Sequence, residues 1–318
     1  MVSETDIMDR LAEPGSAIMV DWTFEHYLHA HEFTSRSALE DLREGPALYH
    51  AKHIAKSIRT ETTPAMEFGS NVHLALLEPE EWARRLYPPE PPRPAGAHGR
   101  AKAGTPEKTL YDEWTEAVEQ WKQGQASDSI IVDPKGRAAI EAITASVKSH
   151  KTGAWAFRSK GSNEQTILWH HAETGILLRC RLDRLIWHDA HTVAIVDLKT
   201  TKDPSPTAFA KAIANFGYHR QAAIYLDAVR ALAPEAELHY ELIAVRSSAP
   251  FETACYTLRE TREGPDGSTL PGPLALGRAQ YTETLHELAS RRKSNDWKSD
   301  WQIESMPIDL PYWAYRTP

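Results

Sequence analysis

Through the first 150 residues the apolar positions recur three and four apart, the spacing of helices that bury one face. In FTSRSALEDLREGPALYHAKHIAKSI, Ser35 or Ser37 is placed to cap a helix carrying Leu39 and Leu42, Gly45-Pro46 breaks it, and a second helix starts at Ala47. TTPAMEFGSNVHLALLEPEEWARRLY sets Met66, Val72, Leu76 and Leu77 on one helical face that runs towards Pro79. Residues 88–106 abandon the pattern for proline, glycine and alanine, with Arg93, Arg100 and Lys102 among them, and read as a long mobile loop. Helical spacing returns over Glu107–Gln123 and Pro134–His150. EQTILWHHAETGILLRCRLDRLIWHDAHTVAIVDLKTT then alternates in three runs, with turns at Glu173-Thr174-Gly175 and Asp189-Ala190-His191, and predicts an antiparallel meander. Two helices follow, Pro206–Phe216 and His219–Leu232, broken at Gly217; then come strands in ELHYELIAVRSS and FETACYTL, a last long helix over Leu274–Arg291, and a packed irregular tail. This order predicts one α/β domain over 1–318, with an N-terminal helical part at 20–87, the mobile loop at 88–106, and a remainder, 107–318, that contains a catalytic core at 160–260.

Composition narrows the classes. The 318 residues include 41% hydrophobic and 25% charged positions, a globular balance, and no apolar run approaches the roughly 20 residues of a membrane span. No contact with membrane is expected. Glu4, Asp6, Asp9 and Glu13 occupy the region where a secretory leader would be basic and then apolar, and the two cysteines, Cys180 and Cys255, are too few for a disulfide framework. Both point to a reducing, cytoplasmic setting. The net charge of −8 disfavours a general nucleic-acid binder and requires any such contact to come from local basic patches. The ten tryptophans are assigned to the core rather than to base stacking.

In a strand, side chains two apart share a face, so Asp197 and Lys199 in AIVDLKTT project together. In ILLRCRLDRLIW the same rule groups Arg179, Arg181 and Asp183 against Leu178, Cys180 and Leu182. On neighbouring strands Asp183 and Asp197 come side by side, and two carboxylates held that close call for a cation between them; hard oxygen donors select Mg²⁺, with Mn²⁺ able to substitute. Such a site serves phosphodiester hydrolysis: the metal polarises phosphate and activates water, the Leu198 carbonyl is a further oxygen donor, and Lys199 orients water and offsets charge. An isolated D-x-K also has an ordinary reading, a surface Asp and Lys on an edge strand.

The wider pattern decides between them. SRSALEDLREGPALYH, FGSNVHLALLEPEEW, NEQTILW, CRLDRL, IVDLKTTKDPSPTAFAKAIANFGYHRQAAIYLDA and a closing IDLPYWA occur in order from Ser35 to Ala314. Together they resemble the PD-(D/E)xK nuclease superfamily, and within it the recombination exonucleases of the RecE, or exonuclease VIII, type. The resemblance implies a restriction-endonuclease-like core, a mixed β-sheet flanked by helices with helical additions. It also implies roles for named residues. The G-x-x-x-H element falls on Gly69 and His73, with His73 as a metal ligand; Glu164 opens the first core strand in a catalytic, positioning role. Gln221 and Tyr225 match a Q-x-x-x-Y element that either contacts the DNA backbone or steadies the catalytic strand. Tyr218 and His219 resemble the family's YH and are implied near DNA, while Thr200, at the end of its strand, either binds phosphate or simply ends the strand. Leu182 stands where the superfamily's name has proline, and the long N-terminal extension of the best-known exonuclease VIII proteins is missing.

The function so implied is a Mg²⁺-dependent exodeoxyribonuclease that degrades linear double-stranded DNA from 5′ to 3′ and leaves 3′ single-stranded tails for recombination. Its partners would be duplex ends, further copies of itself in a ring such as a tetramer, and a single-strand annealing protein. The alternatives are an endonuclease or single-strand nuclease of the same fold, and a catalytically silent DNA-binding module. The absence of a glycine-rich phosphate loop argues against ATP dependence.

Overall fold

A computed structural model describes residues 3–302 other than 60 and 190, together with 305, 307–311 and 315. The chain opens with α1 (Glu4–Arg10), β1 (Ala17–Val20), α2 (Phe24–His29) and a two-residue β2 (Thr34–Ser35). Next come α3 (Arg36–Glu44), α4 (Pro46–Tyr49) continuing into a wide turn at His50–Ile54, α5 (Pro64–Leu77), α6 (Pro79–Arg85) and β3 (Leu86–Tyr87). After an irregular stretch lie α7 (Pro106–Gln123), β4 (Ile130–Ile131), α8 (Pro134–Ser149) and α9 (Lys151–Arg158). The central strands are β5 (Ser162–His170), β6 (Leu177–Trp187) and β7 (Thr192–Thr201), followed by α10 (Pro206–Asn215), α11 (Tyr218–Leu232), β8 (Glu237–Arg246) and β9 (Thr253–Thr257). A small hairpin, β10 (Thr261–Glu263) with β11 (Thr269–Pro271), precedes α12 (Pro273–Ser294).

Local chemistry accounts for the boundaries. The Ser35 hydroxyl accepts the Ala38 N–H at the start of α3, and the Thr63 hydroxyl accepts that of Met66 at the start of α5. Each such cap contributes about 1 kcal/mol. Between α10 and α11, Gly217 sits at φ +66, where an added Cβ would also run into the Arg220 guanidinium.

The sheet runs β1-β5-β6-β7-β8-β9, with β2 beside β6. β5, β6 and β7 form the expected antiparallel meander, and β8 returns parallel to β7 after the α10–α11 crossover. One face packs α3, α11 and α12 through Leu39, Leu42, Ile224 and Leu285 onto Leu178, Leu182, Ile195 and Leu242. The other packs α5, α8 and α9 through Val72, Leu76, Ile143 and Ala156 onto Ile186, Val196, Leu198 and Ile243. At about 2 kcal/mol for each large apolar side chain, these two layers hold the sheet between helices. This is the mixed sheet flanked by helices that the sequence predicts.

Several expectations change. The N-terminal part is not purely helical: β1 pairs with β5 at Ala17↔Trp169 and β2 with β6 at Thr34↔Leu178, because Ile18 and Val20 bury against Leu168, Ile7 and Phe33. The stretch from Pro88 to Thr105 lies on α7, where the Trp114 and Trp121 indoles donate to the Pro91 and Pro88 carbonyls and Arg93 covers the Tyr111 ring. In the tail, Ile308, Leu310 and Tyr315 are exposed rather than packed, while residues 312–314 of its motif lie outside the described set. Trp169 is core, but Trp155, Trp187 and Trp301 are exposed.

Candidate metal centre and catalytic strand

Asp183 lies where β6 separates from both of its neighbours. Towards β5 the register runs Ser162↔Leu185 and Asn163↔Arg184, then resumes at Gln165↔Leu182, skipping Glu164 and Asp183. Towards β7 the pairs end at Arg184↔Val196, one step before Asp183 and Asp197 would face each other. Leu178, Cys180, Leu182 and Leu185 all join the same core, so the inward alternation changes phase between Leu182 and Leu185, while the register with β5 is the same on either side. Opposite Asp183, Glu164 has φ +53, a left-handed conformation uncommon in a residue with a Cβ.

These irregularities gather three side chains. Ligand atoms of His73, Glu164 and Asp183 lie within 4.8 Å of one another. His73 Nδ1 is 3.6 Å from Asp183 Oδ2, and that same oxygen accepts the Leu198 N–H at 2.8 Å. A residue's N–H and C=O leave a strand by the same edge, so the Leu198 carbonyl faces the opening between β6 and β7. His73 arrives from α5, which comes close to β7 at Gly69: a Cβ there would stand 3.4 Å from the Thr200 hydroxyl. Glu164 is gripped by Arg181, whose Nε donates to Oε2 at 2.6 Å while its Nη1 donates to the Trp22 carbonyl at 2.8 Å. Burial, and next the charge of Asp183, push the Glu164 carboxyl above its usual range in spite of Arg181. Two carboxylates and an imidazole, crowded and partly open to solvent, fit a hard divalent cation that would relieve this repulsion.

Asp197, expected among the metal ligands, lies outside that set. It is fully buried, its Oδ2 2.5 Å from Lys199 Nζ and its Oδ1 accepting the Gln221 amide at 2.8 Å. Oδ1 is thus satisfied by an amide, whereas Oδ2 accepts no hydrogen bond among the described residues and meets the Lys199 ammonium as an ion pair. Burial pushes its carboxyl up to about 6, Lys199 pulling the other way and Asp183 adding to the rise. Burial works against the Lys199 ammonium, yet Asp197 and Asp183 outweigh it and raise its pKa. The ammonium also lies 5.0 Å from the centre of the Tyr218 ring.

The remaining candidates divide. Gln221 steadies Asp197 from within the core, and Tyr225 is buried there beside it. The buried His219 ring contacts the Ile213 carbonyl and the Gln280 side chain. All three are less than a tenth exposed. Tyr218 and Thr200 are partly exposed near Lys199.

Two supporting groups had no assigned role. Arg181 stands two residues before Asp183 on the same face, and that spacing was the available signal. Glu40 of α3 takes a two-pronged bond from Arg220, at 2.7 and 2.6 Å, and Arg36 donates to the Phe216 carbonyl. They clamp the α10–α11 corner so that Gln221 meets Asp197; no local pattern links residues 180 positions apart.

Among solved structures the chain is similar to one described as a "putative exonuclease" from Eubacterium rectale, at 14% identity over 92% of this chain and 97% of that one, with a TM-score of 0.53. At that identity the likeness shows the fold. No curated protein matches the chain. The family model described as a PDDEXK-like domain of unknown function (DUF3799) matches residues 35–264, which include His73, Glu164, Asp183, Asp197, Lys199 and Gln221. The chain therefore belongs to the PDDEXK-like family.

Proposed function

We propose that the protein is a divalent-metal-dependent deoxyribonuclease. The observation that carries this reading is the fork between β6 and β7, with His73, Glu164 and Asp183 converging on one side and the buried Asp197–Lys199 pair on the other. A bound Mg²⁺, or Mn²⁺ in its place, supplies a Lewis acid that polarises phosphate and lowers the pKa of water. His73, Glu164 and Asp183 would hold it, with Asp197 and the Leu198 carbonyl as further oxygen donors. The Leu198 N–H fixes Asp183. Lys199 holds the attacking water and offsets the charge that builds on phosphate as the new P–O bond forms and the bond to the leaving oxygen breaks. Asp197 keeps Lys199 protonated and aimed, and Gln221 keeps Asp197 in place.

The finer reading is an exonuclease that resects linear duplex DNA from 5′ to 3′, leaving 3′ tails for recombination. It treats 1–318 as one nuclease domain acting in the cytoplasm, in a ring of copies and together with a single-strand annealing protein. Its support is the ordered set of RecE-type motifs, and two free cysteines and the lack, among the described residues, of any helix long and apolar enough to cross a membrane are compatible with it. The test is digestion of end-labelled linear duplex with Mg²⁺, beside closed circles, single strands and an EDTA control. Release of the 5′ label as small fragments, with circles intact and no activity in Asp183→Asn, is the expected result. Cleavage of circles would make the protein an endonuclease, and inertness of every substrate with Mg²⁺ or Mn²⁺ would refute the enzyme reading.

A further inference from the structure

Between Glu141 and Glu164 the chain has no acidic residue, yet it carries Lys148, Lys151, Arg158 and Lys160, all exposed, in a protein of net charge −8. The stretch ends on Glu164, a member of the candidate metal centre. At its middle is α9, which turns Gly153, Ala154 and Ala156 inward and leaves Trp155 38% exposed. Lys151 and Arg158 stand four residues before and three after Trp155, on the same helical face. With Ser159 they line an open cavity of about 340 Å³. Arg158 donates to its own helix at the Ala154 carbonyl, and neither cation pairs with a carboxylate among the described residues.

This surface is rigidly joined to the site. A Cβ at Gly153 would strike the Val147 carbonyl, so α9 sits directly on the end of α8. Arg184, the residue after Asp183, donates to the Ala156 carbonyl at 2.7 Å and to the Ser159 carbonyl at 2.5 Å. The helix bearing the exposed indole is thus bolted to the strand bearing Asp183.

We propose that the Trp155 cavity is a track for single-stranded DNA, a base stacking on the indole with its flanking phosphates against Lys151 and Arg158. An aromatic face between two unpaired cations matches the alternation of base and phosphate in one strand, whereas a duplex hides its base faces. Local positive charge in an acidic protein concentrates the polyanion where the chain leads into the site. The inference rests on the nuclease reading and gives that enzyme a place to hold one strand while the other is cut.

The test is fluorescence anisotropy with a labelled oligothymidylate and a blunt duplex of equal length, in EDTA and low salt. Trp155→Ala is expected to weaken oligothymidylate binding about tenfold, with Trp155→Phe restoring most of it. Lys151→Glu with Arg158→Glu is expected to weaken it further and flatten its salt dependence. Thermal melts matching the parent establish that the variants are folded, and Trp155→Phe and the charge reversals decide the matter if Trp155→Ala does not fold. Parental binding by all variants overturns the proposal. So does equal loss of duplex and oligothymidylate on charge reversal with Trp155→Ala silent, which would assign the surface to duplex backbone. Because the assay contains no metal, its failure is separate from failure of the nuclease reading, which is judged by cleavage in Mg²⁺.

Discussion

The two edges of β7 differ sharply. Towards β8 it is paired without a break, from Thr192↔Glu237 to Thr201↔Arg246; towards β6 the pairs cover only Val193 to Val196. The closed edge fixes the backbone of Asp197, Leu198 and Lys199, while the open edge frees the Leu198 N–H to bind a carboxylate from the departing strand. Rigidity and access thus come from opposite sides of one strand. A site built this way has its buried ion pair anchored by an unbroken ladder, and its candidate metal ligands gathered where the ladder fails.

Variants on each edge can break that contrast. The largest effect is expected at the ion pair that the closed edge anchors: Lys199→Ala should lower cleavage of linear duplex by about a thousandfold, measured by gel assay with Mg²⁺. An activity near the parent's would remove Lys199 from the chemistry. Across that same ladder on β8, Leu242→Ala empties a wholly buried position beside Asp197 and should cost about 3 kcal/mol in urea unfolding, with activity per folded molecule largely kept. A loss of activity without a loss of stability would show that the ladder acts in catalysis and not just in support.

Metal binding comes next. Saturating Mg²⁺, at about 100 times its dissociation constant, should stabilise the protein by about 2.7 kcal/mol in thermal melts, and Glu164→Ala should abolish the gain. An undiminished gain in that variant would place the metal elsewhere. Gln221→Ala leaves an Asp197 oxygen without its buried donor and should cost about 1–2 kcal/mol, along with some activity; Gln221→Glu should be worse, since it sets a second carboxylate against the first. The smallest effect is at Gly69, where space beside Thr200 admits a methyl group. Gly69→Ala should raise stability by about 0.5–1 kcal/mol, and a loss would mean that α5 requires a closer approach to β7 than its spacing shows.

Much of this was legible in the residues. Ser35 announces its helix through its own hydroxyl, Gly217 ends one through its own φ, and the alternation in β5 to β7 is a local consequence of a two-sided sheet. β1 was not legible, because four residues near the N-terminus become a strand only when β5 offers its edge. The exposure of Trp155 was not legible either, since whether an indole is covered depends on what packs over it.

For the site, sequence by itself determined that Asp197 and Lys199 share a face, that Gly69 and His73 lie a turn apart on one helix, and that Gln221 and Tyr225 do the same. Those relations follow from strand and helix periodicity. Only the tertiary structure decided that Asp197 lies beside Lys199 and takes the Gln221 amide, that Glu164 comes within reach of His73 and Asp183, and that Arg181 and the Glu40–Arg220 clamp brace them. The physical reason is that periodicity sets the direction of a side chain within its own element, whereas the ends of strand pairing, burial and distant charges set which partner it meets.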